Sequence, residues 1–142
     1  MSGDDAFWDL YIEAIIEIDV DGRTRCLRGP DAEPLPATPP IFVFTAYNPG
    51  GEDRDDAVNE ASERALEREL SSEGVTFWSA LGRSPDGSWS EPGVAVSGGD
   101  RTRACAYGGR YGQLAIYELT DDQVHVVRCA DAEIVRSAAR RN

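Results

Sequence analysis

The sequence predicts an α+β fold built on a mostly antiparallel sheet with helices on one face. Three observations support this prediction. Short stretches of alternating apolar and polar residues are separated by turn residues, as in β-hairpins. Other segments carry apolar residues at helical spacing. After an opening hairpin, the order is strand, helix, strand, strand, helix, strand, strand, which is typical of a split βαββαβ-like core. A chain of 142 residues fits one domain over 1–142.

The N-terminal part predicts a helix and then a hairpin. Apolar residues recur at spacings of three and four over Asp4–Ala14, which indicates an amphipathic helix lying across the sheet. Ile15–Val20 then alternates apolar and acidic residues, and Asp21-Gly22 is a two-residue turn signal before Arg23–Arg28. Five prolines between 29 and 40 predict an extended connecting loop.

The middle of the chain predicts the central strand and the longest helix. Ile41–Tyr47 is a continuous apolar run rich in β-branched and aromatic residues, so we expect a strand buried on both faces. The helix is predicted over Asp53–Ser72 and ends at Gly74. Its expected apolar stripe consists of Ala57, Ala61, Ala65, Leu66 and Leu70.

The second half predicts two more hairpins around a helix. The strands are expected at Val75–Leu81, Ser88–Val96, Leu114–Leu119 and Val124–Cys129. A glycine-interrupted helix over Asp100–Tyr111 lies between the two pairs, with Asp100 near its start. The arginine-rich segment Asp131–Arg140 predicts a short closing helix.

The composition restricts the classes of partner. The formal net charge is −12, and all 14 basic residues are arginine. Such an acidic chain lacks the basic surface that general nucleic-acid binding needs, so no nucleic acid is expected as a partner. Abundant Asp, Ala and Gly without lysine indicate a GC-rich genome, and the acidity suggests a salt-loving host. No apolar run is long enough to cross a membrane, and no secretory signal is recognisable, so the expected location is the cytoplasm.

The residues of common catalytic and metal sites are sparse, and the sequence predicts no metal and no cofactor. Cys26, Cys105 and Cys129 are far apart and have no Cys-x-x-Cys spacing, so we interpret them as small packing residues. His125 is the single histidine and lies in an alternating strand segment. Neither a GxSxG elbow nor an EF-hand or phosphate-loop pattern is present.

Four polar residues in apolar surroundings are the candidate site residues: Asn48, Asn59, Glu91 and Gln113. Each also has a structural explanation. Asn48 can form a turn or cap a helix, Asn59 can face solvent, and Gln113 can bond to a sheet edge. Glu91 can pair with Arg83. The turn Asn48-Pro49-Gly50-Gly51 offers free amides before a helix, but the acidic run after it would repel a phosphate.

Several short motifs together resemble domain-of-unknown-function family 3293. They are Thr45-Ala46-Tyr47-Asn48-Pro49, Asn59, Ala80-Leu81-Gly82-Arg83, Trp89 with Glu91, and Tyr111-Gly112-Gln113-Leu114-Ala115-Ile116. The similarity extends from Trp8-Asp9-Leu10-Tyr11 to the last strand. This chain departs from the family where Gly50-Gly51 and acidic residues replace a polar, often serine-bearing position. The resemblance implies a small stand-alone domain and marks the same four polar residues, but it carries no reaction.

Three functions are compatible with the sequence. We prefer a binding or interaction module with a small-molecule pocket beside the Asn48-Pro49 strand end, where Tyr47 and Arg83 would be neighbours of the site. The second is a small enzyme in which Glu91 is the general acid or base and Asn48 and Gln113 orient the substrate. The third is an acidic partner of a basic protein or a ribosome-associated factor. Convergence of the four candidate residues in one pocket would favour the first two, whereas scattered side chains bonded to the backbone would exclude both.

Overall fold

The structure is a computed structural model that describes the backbone of residues 3–142 and the side chains of residues 6–142. The helices of this part of the chain are α1 (Gly3–Ile12), α2 (Asp56–Ser72) and α3 (Arg101–Arg110), with a 3₁₀ turn at Pro49–Gly51. The first four strands are β1 (Ile15–Val20), β2 (Arg23–Arg28), β3 (Ile41–Phe44) and β4 (Thr76–Arg83). The others are β5 (Ser90–Ser97), β6 (Ala115–Leu119), β7 (Gln123–Arg128) and β8 (Glu133–Ala139).

All the described strands join one antiparallel sheet in the order β2-β1-β4-β5-β3-β6-β7-β8. The middle of this sheet, β4-β5-β3-β6, contains the strands that α2 and α3 connect. That arrangement is a split βαββαβ core, with the β1–β2 hairpin added on one side and β7 and β8 on the other. The predicted α+β fold is therefore confirmed.

The helices lie on both sides of the sheet, and the two core helices share one side. Leu66 and Leu70 of α2 and Tyr107 of α3 pack in one cluster with Phe42 and Phe44 of β3. On the opposite face, α1 packs through Trp8 against Ala115 and Val126. The opening helix thus lies across the sheet, as predicted, but on the side away from α2 and α3.

The sheet is curled, and α1 lies inside the curve. Leu27 of β2 and Val124 of β7 belong to the same apolar cluster, although five strands separate β2 from β7. At one end the outer strands are joined, because the amide of Gly29 donates to the carbonyl of Arg140 at 3.0 Å and Asn142 donates to the carbonyl of Gly29 at 3.2 Å. We call the side that holds α1 the concave face.

Several predicted elements are confirmed at close to their expected bounds. The β1–β2 turn has positive φ at both Asp21 (52°) and Gly22 (79°), which the twist of a two-residue hairpin requires. Asp100 caps α3 by accepting a 2.8 Å bond from the amide of Arg103. The central strand β3 is buried throughout, but it ends at Phe44 and not at Tyr47.

The predicted helix over Asp131–Arg140 is wrong, because Glu133–Ala139 is strand β8. A turn closed by the bond from the Ala132 amide to the Arg128 carbonyl returns the chain beside β7. Pairing there satisfies backbone groups that β7 would otherwise leave open at the sheet edge. This tertiary pairing outweighs the helical preference of the alanines and arginines.

The predicted bounds and buried stripe of the longest helix are also partly wrong. α2 begins at Asp56 and not at Asp53, and Ala57 and Ala61 are exposed. The buried residues of α2 are Asn59, Glu63, Leu66 and Leu70. They recur at helical spacing and therefore share one face of α2. This face is polar near the start of the helix, at Asn59 and Glu63, and apolar near its end, at Leu66 and Leu70.

Arg140 is expected to stabilise the curl of the sheet. Its buried guanidinium donates to the carbonyls of Leu27 (2.9 Å), Glu33 (2.6 Å) and Asp121 (3.1 Å). Arg140→Met should lower the free energy of unfolding by about 2–3 kcal/mol, since these carbonyls lose a charged donor. Arg141→Met, which removes an exposed arginine bonded to the single carbonyl of Ala32, is the control for urea denaturation. Equal losses in both variants would contradict this role.

Candidate functional site

The segment that follows β3 is shaped by Asn48. Asn48 has φ 46° and ψ 61°, a left-handed conformation that asparagine tolerates better than most residues. Pro49 then begins the 3₁₀ turn. The chain therefore reverses sharply after β3, and the side chain of Asn48 lies between the start of α2 and strand β5.

A chain of amide contacts connects Asn59, Asn48 and Glu91. The backbone amide of Asn48 donates to Oδ1 of Asn59 at 2.9 Å. Nδ2 of Asn59 donates to Oδ1 of Asn48 at 2.8 Å, and the backbone amide of Arg54 donates to the same oxygen at 3.0 Å. Nδ2 of Asn48 then donates to Oε1 of Glu91 at 3.0 Å. We call this arrangement the amide chain.

The two backbone donors determine the orientation of both side-chain amides. Because a backbone N–H can only donate, the atom of Asn59 that faces the Asn48 amide must be the oxygen. The atom of Asn48 that faces the Arg54 amide must be an oxygen for the same reason. Asn48 is thus left with its NH₂ group toward β5, so Glu91 faces a donor.

The carboxylate of Glu91 is half-buried and has no basic partner among the described residues. Burial raises its pKa, the bond from Asn48 lowers it, and the nearby negative charge of Asp53 raises it again. The expected pairing with Arg83 is not formed. Arg83 instead donates to Oε1 of Glu17 at 3.1 Å.

Gln113 joins the loop before β6 to the loop after β3. Its buried Nε2 donates to the carbonyl of Tyr47 at 2.9 Å. Beside this bond, the amide of Gly50 donates to the carbonyl of Gly112 at 2.8 Å. A Cβ at Gly112 would lie 2.6 Å from the Cβ of Pro49, so the close approach of the two loops favours glycine. Tyr47 takes part through its backbone.

A cavity of about 200 Å³, which we call the α1 cavity, lies between α1 and the concave face. Its polar side chains are Thr45, Asn48, Glu91 and Gln113, and its larger apolar ones include Phe7, Leu10, Tyr11, Val43, Trp89, Leu114 and Tyr117. Three of the candidate residues thus meet at this cavity. Asn59 supports Asn48 from behind, whereas Tyr47 and Arg83 are not among its lining residues.

Small residues on three strands of the concave face leave the space that the cavity fills. They are Ala80 and Gly82 on β4, Gly93 on β5 and Ala115 on β6. The two glycines differ in their surroundings. A Cβ at Gly82 would have no atom within 4 Å, whereas a Cβ at Gly93 would lie 2.5 Å from the carbonyl oxygen of Phe44. Gly82 therefore keeps the cavity open, and Gly93 allows β3 and β5 to approach closely.

Exposed apolar side chains surround the cavity. Leu10 is 63% exposed, Leu114 46% and Trp89 39%, and each of them lines the cavity. Large apolar side chains that stay in water around a concave site are a feature of ligand-binding clefts.

Glu63 is a buried acid that the sequence analysis missed. Glu63 is 7% exposed, and its carboxylate accepts bonds from the Ala46 amide (2.9 Å) and the Thr45 hydroxyl (3.3 Å). The other oxygen, Oε2, is buried without a partner among the described residues. Burial raises the pKa of Glu63 to about 7. The signal was available, since Asn59, Glu63, Leu66 and Leu70 share helical spacing.

The residues that could hold a metal are dispersed. Within residues 6–142, no group of three or more His, Cys, Asp or Glu side chains is placed around a common point. Cys26, Cys105 and Cys129 are free thiols, and Nδ1 of His125 lies 2.6 Å from the hydroxyl of Ser137.

No helix in the described part of the chain has the length and apolar character to span a membrane.

Glu63 predicts a pH dependence of stability. Its pKa is about 7 in the folded chain and near 4.5 when exposed, so between these values the folded state binds more protons than the unfolded state. Stability should fall as the pH rises through this window, by up to about 3 kcal/mol from this residue. Glu63→Gln should remove that part of the fall.

Urea denaturation at pH 5 and pH 8 tests this prediction. The control is Glu60→Gln, which changes the net charge equally at an exposed position of the same helix. An unchanged difference between pH 5 and pH 8 in Glu63→Gln would contradict the buried, raised-pKa state of Glu63.

One comparison with known proteins gives a match. The model of the family described as protein of unknown function (DUF3293) matches residues 44–116, just over half of the chain. The matched segment contains the amide chain, Glu63 and Gln113, whereas α1 lies outside it. Neither the curated proteins nor the solved structures include a significant match. The resemblance inferred from the motifs is thus confirmed, and the chain belongs to the DUF3293 family of proteins of unknown function.

Proposed function

We propose that the protein binds a small molecule in the α1 cavity. The apolar body of this ligand lies between α1 and the concave face, and its polar group contacts Glu91, Asn48 and Gln113. The observation that carries the proposal is the position of these three side chains on one apolar cavity. Ligand sites are commonly apolar, with a few fixed polar groups that orient the bound molecule.

The energetics of the site support binding. The amide chain holds Asn48 and Glu91 in fixed orientations before a ligand arrives, so less side-chain freedom is lost on binding. The exposed faces of Leu10, Trp89 and Leu114 would be covered by a ligand, which removes apolar surface from water. A structural role alone gives no reason for these three side chains to remain exposed around a cavity.

A second candidate is a small enzyme that uses Glu91 as general acid or base, with Asn48 and Gln113 orienting the substrate. One observation favours it: burial raises the pKa of Glu91, which brings a carboxyl closer to the range useful for proton transfer at neutral pH. The two candidates share the cavity. Mass spectrometry of cavity ligands after long incubation separates them, because only an enzyme changes their mass or composition.

Filling the cavity at Gly82 should abolish binding without unfolding the protein. The expected ligands are single-ring fragments of about ten non-hydrogen atoms, with dissociation constants of about 1 mM or tighter. A set of neutral, cationic and anionic fragments is screened by ¹H–¹⁵N spectra. At least one member should shift the Trp89 indole and the Gly93 amide. Gly82→Val should remove these shifts, since its side chain enters free space.

Ser79→Val is the matched control, because Ser79 is exposed on the same strand and does not line the cavity. It should leave fragment binding unchanged. The proposal fails if no fragment shifts the cavity resonances, or if Gly82→Val binds the fragments as well as the wild type does.

A further inference from the structure

The α1 cavity has an unbalanced charge. Among the described residues that line it, Glu91 alone carries a formal charge, and all the others are neutral. The chain contains no lysine, and the nearby Arg83 is engaged with Glu17 at 3.1 Å. The other charges coupled to Glu91 belong to Asp53 and Glu63, which are also acids. The polar end of the cavity is therefore negative, without a positive group of the protein to offset it.

Glu91 also has unused hydrogen-bonding capacity. Its Oε1 accepts the bond from Asn48, whereas Oε2 has no hydrogen-bond partner among the described residues. An ionised carboxylate can accept about four hydrogen bonds. Within a half-buried, apolar site, a positively charged donor offsets the cost of desolvating the carboxylate more effectively than a neutral donor does.

The rings of the cavity wall suit the same kind of ligand. Phe7, Tyr11, Trp89 and Tyr117 contribute rings to the lining. The Phe7 and Tyr11 centroids are 4.9 Å apart, and those of Tyr11 and Tyr117 are 5.6 Å apart, so three of the four rings form a continuous aromatic surface. Aromatic faces attract organic cations as well as apolar groups. A bare Mg²⁺ or Ca²⁺ ion would instead require six or more oxygen ligands.

We propose that the ligand of the α1 cavity is an organic monocation, a primary or methylated amine whose ammonium group binds Glu91 and whose apolar body contacts the aromatic wall. This inference rests on the proposed binding function and specifies its ligand class. The size of the cavity limits the body. A cavity of about 150 Å³ accommodates benzene, so about 200 Å³ accommodates one ring with a short arm.

The test compares three molecules of nearly equal size: 2-phenylethylamine, 2-phenylethanol and phenylacetate. At pH 7.5 they carry a positive charge, no charge and a negative charge. Isothermal titration and ¹H–¹⁵N spectra give the dissociation constants. We expect the amine to bind at least about tenfold more tightly than the alcohol, as a charge-assisted bond implies. Phenylacetate should bind more weakly than the alcohol.

Glu91→Gln should bring the amine and the alcohol to within about threefold of each other. The control is Glu52→Gln, which makes the same change of net charge at an exposed position in the loop between β3 and α2. It should keep the tenfold preference. Equal cooperative melting of the two variants shows that a lost preference does not reflect unfolding.

The outcomes separate the two proposals. If the alcohol binds in the cavity as tightly as the amine, or if Glu91→Gln keeps the preference for the amine, the cation inference is wrong and the binding function stands. If neither these molecules nor any other fragment shifts the cavity resonances, both proposals are wrong. A preference that Glu52→Gln also loses would be an effect of overall charge and would overturn the assignment to Glu91.

Discussion

The orientation of the Asn59 side-chain amide is the constraint on which the candidate site depends. Two backbone donors, the amides of Asn48 and Arg54, can be satisfied together only if both side-chain amides are turned as observed. The NH₂ group of Asn48 then faces Glu91 and favours its charged form, against the burial that disfavours it. An asparagine on the buried face of a helix would cost stability if it were isolated. Here its bonds to the backbone and the side chain of Asn48 orient the NH₂ group that donates to Glu91 on β5.

The cavity beside that carboxylate also has a backbone origin. The concave face curls around α1, and β3 and β5 lie in close contact where Gly93 meets the carbonyl of Phe44. With glycine or alanine on β4, β5 and β6, α1 cannot fill the space beneath it. Gly93 allows the two strands to approach, Gly82 leaves the volume open, and Gln113 fixes the polar end of that volume by joining the loops before β6 and after β3.

Local patterns predicted the fold well, and long-range contacts account for the errors. The two-residue turn at Asp21 and the buried run of β3 are local signals, so the hairpin and the central strand were predicted, although β3 ends at Phe44. The strand β8 was predicted as a helix because its pairing with β7 is a tertiary interaction that composition does not reveal. The polar residues Asn48, Glu91 and Gln113 were identified because they interrupt apolar segments. Glu63 was missed because an acid in a charged helix resembles a surface residue until its spacing relative to Leu66 is considered.

The measurement that tests this account most directly is the pKa of the Glu91 carboxyl in the wild type and in Asn59→Leu. A side-chain ¹³C NMR titration gives this pKa for each protein. In the wild type, the pKa should lie above the ordinary glutamate value, since burial outweighs the bond from Asn48. In Asn59→Leu it should rise further, because Asn48 is no longer held with its donor toward the carboxylate. A pKa that is unchanged by the loss of Asn59, in a variant whose amide spectrum shows the native fold, would contradict the claim that the amide chain controls Glu91.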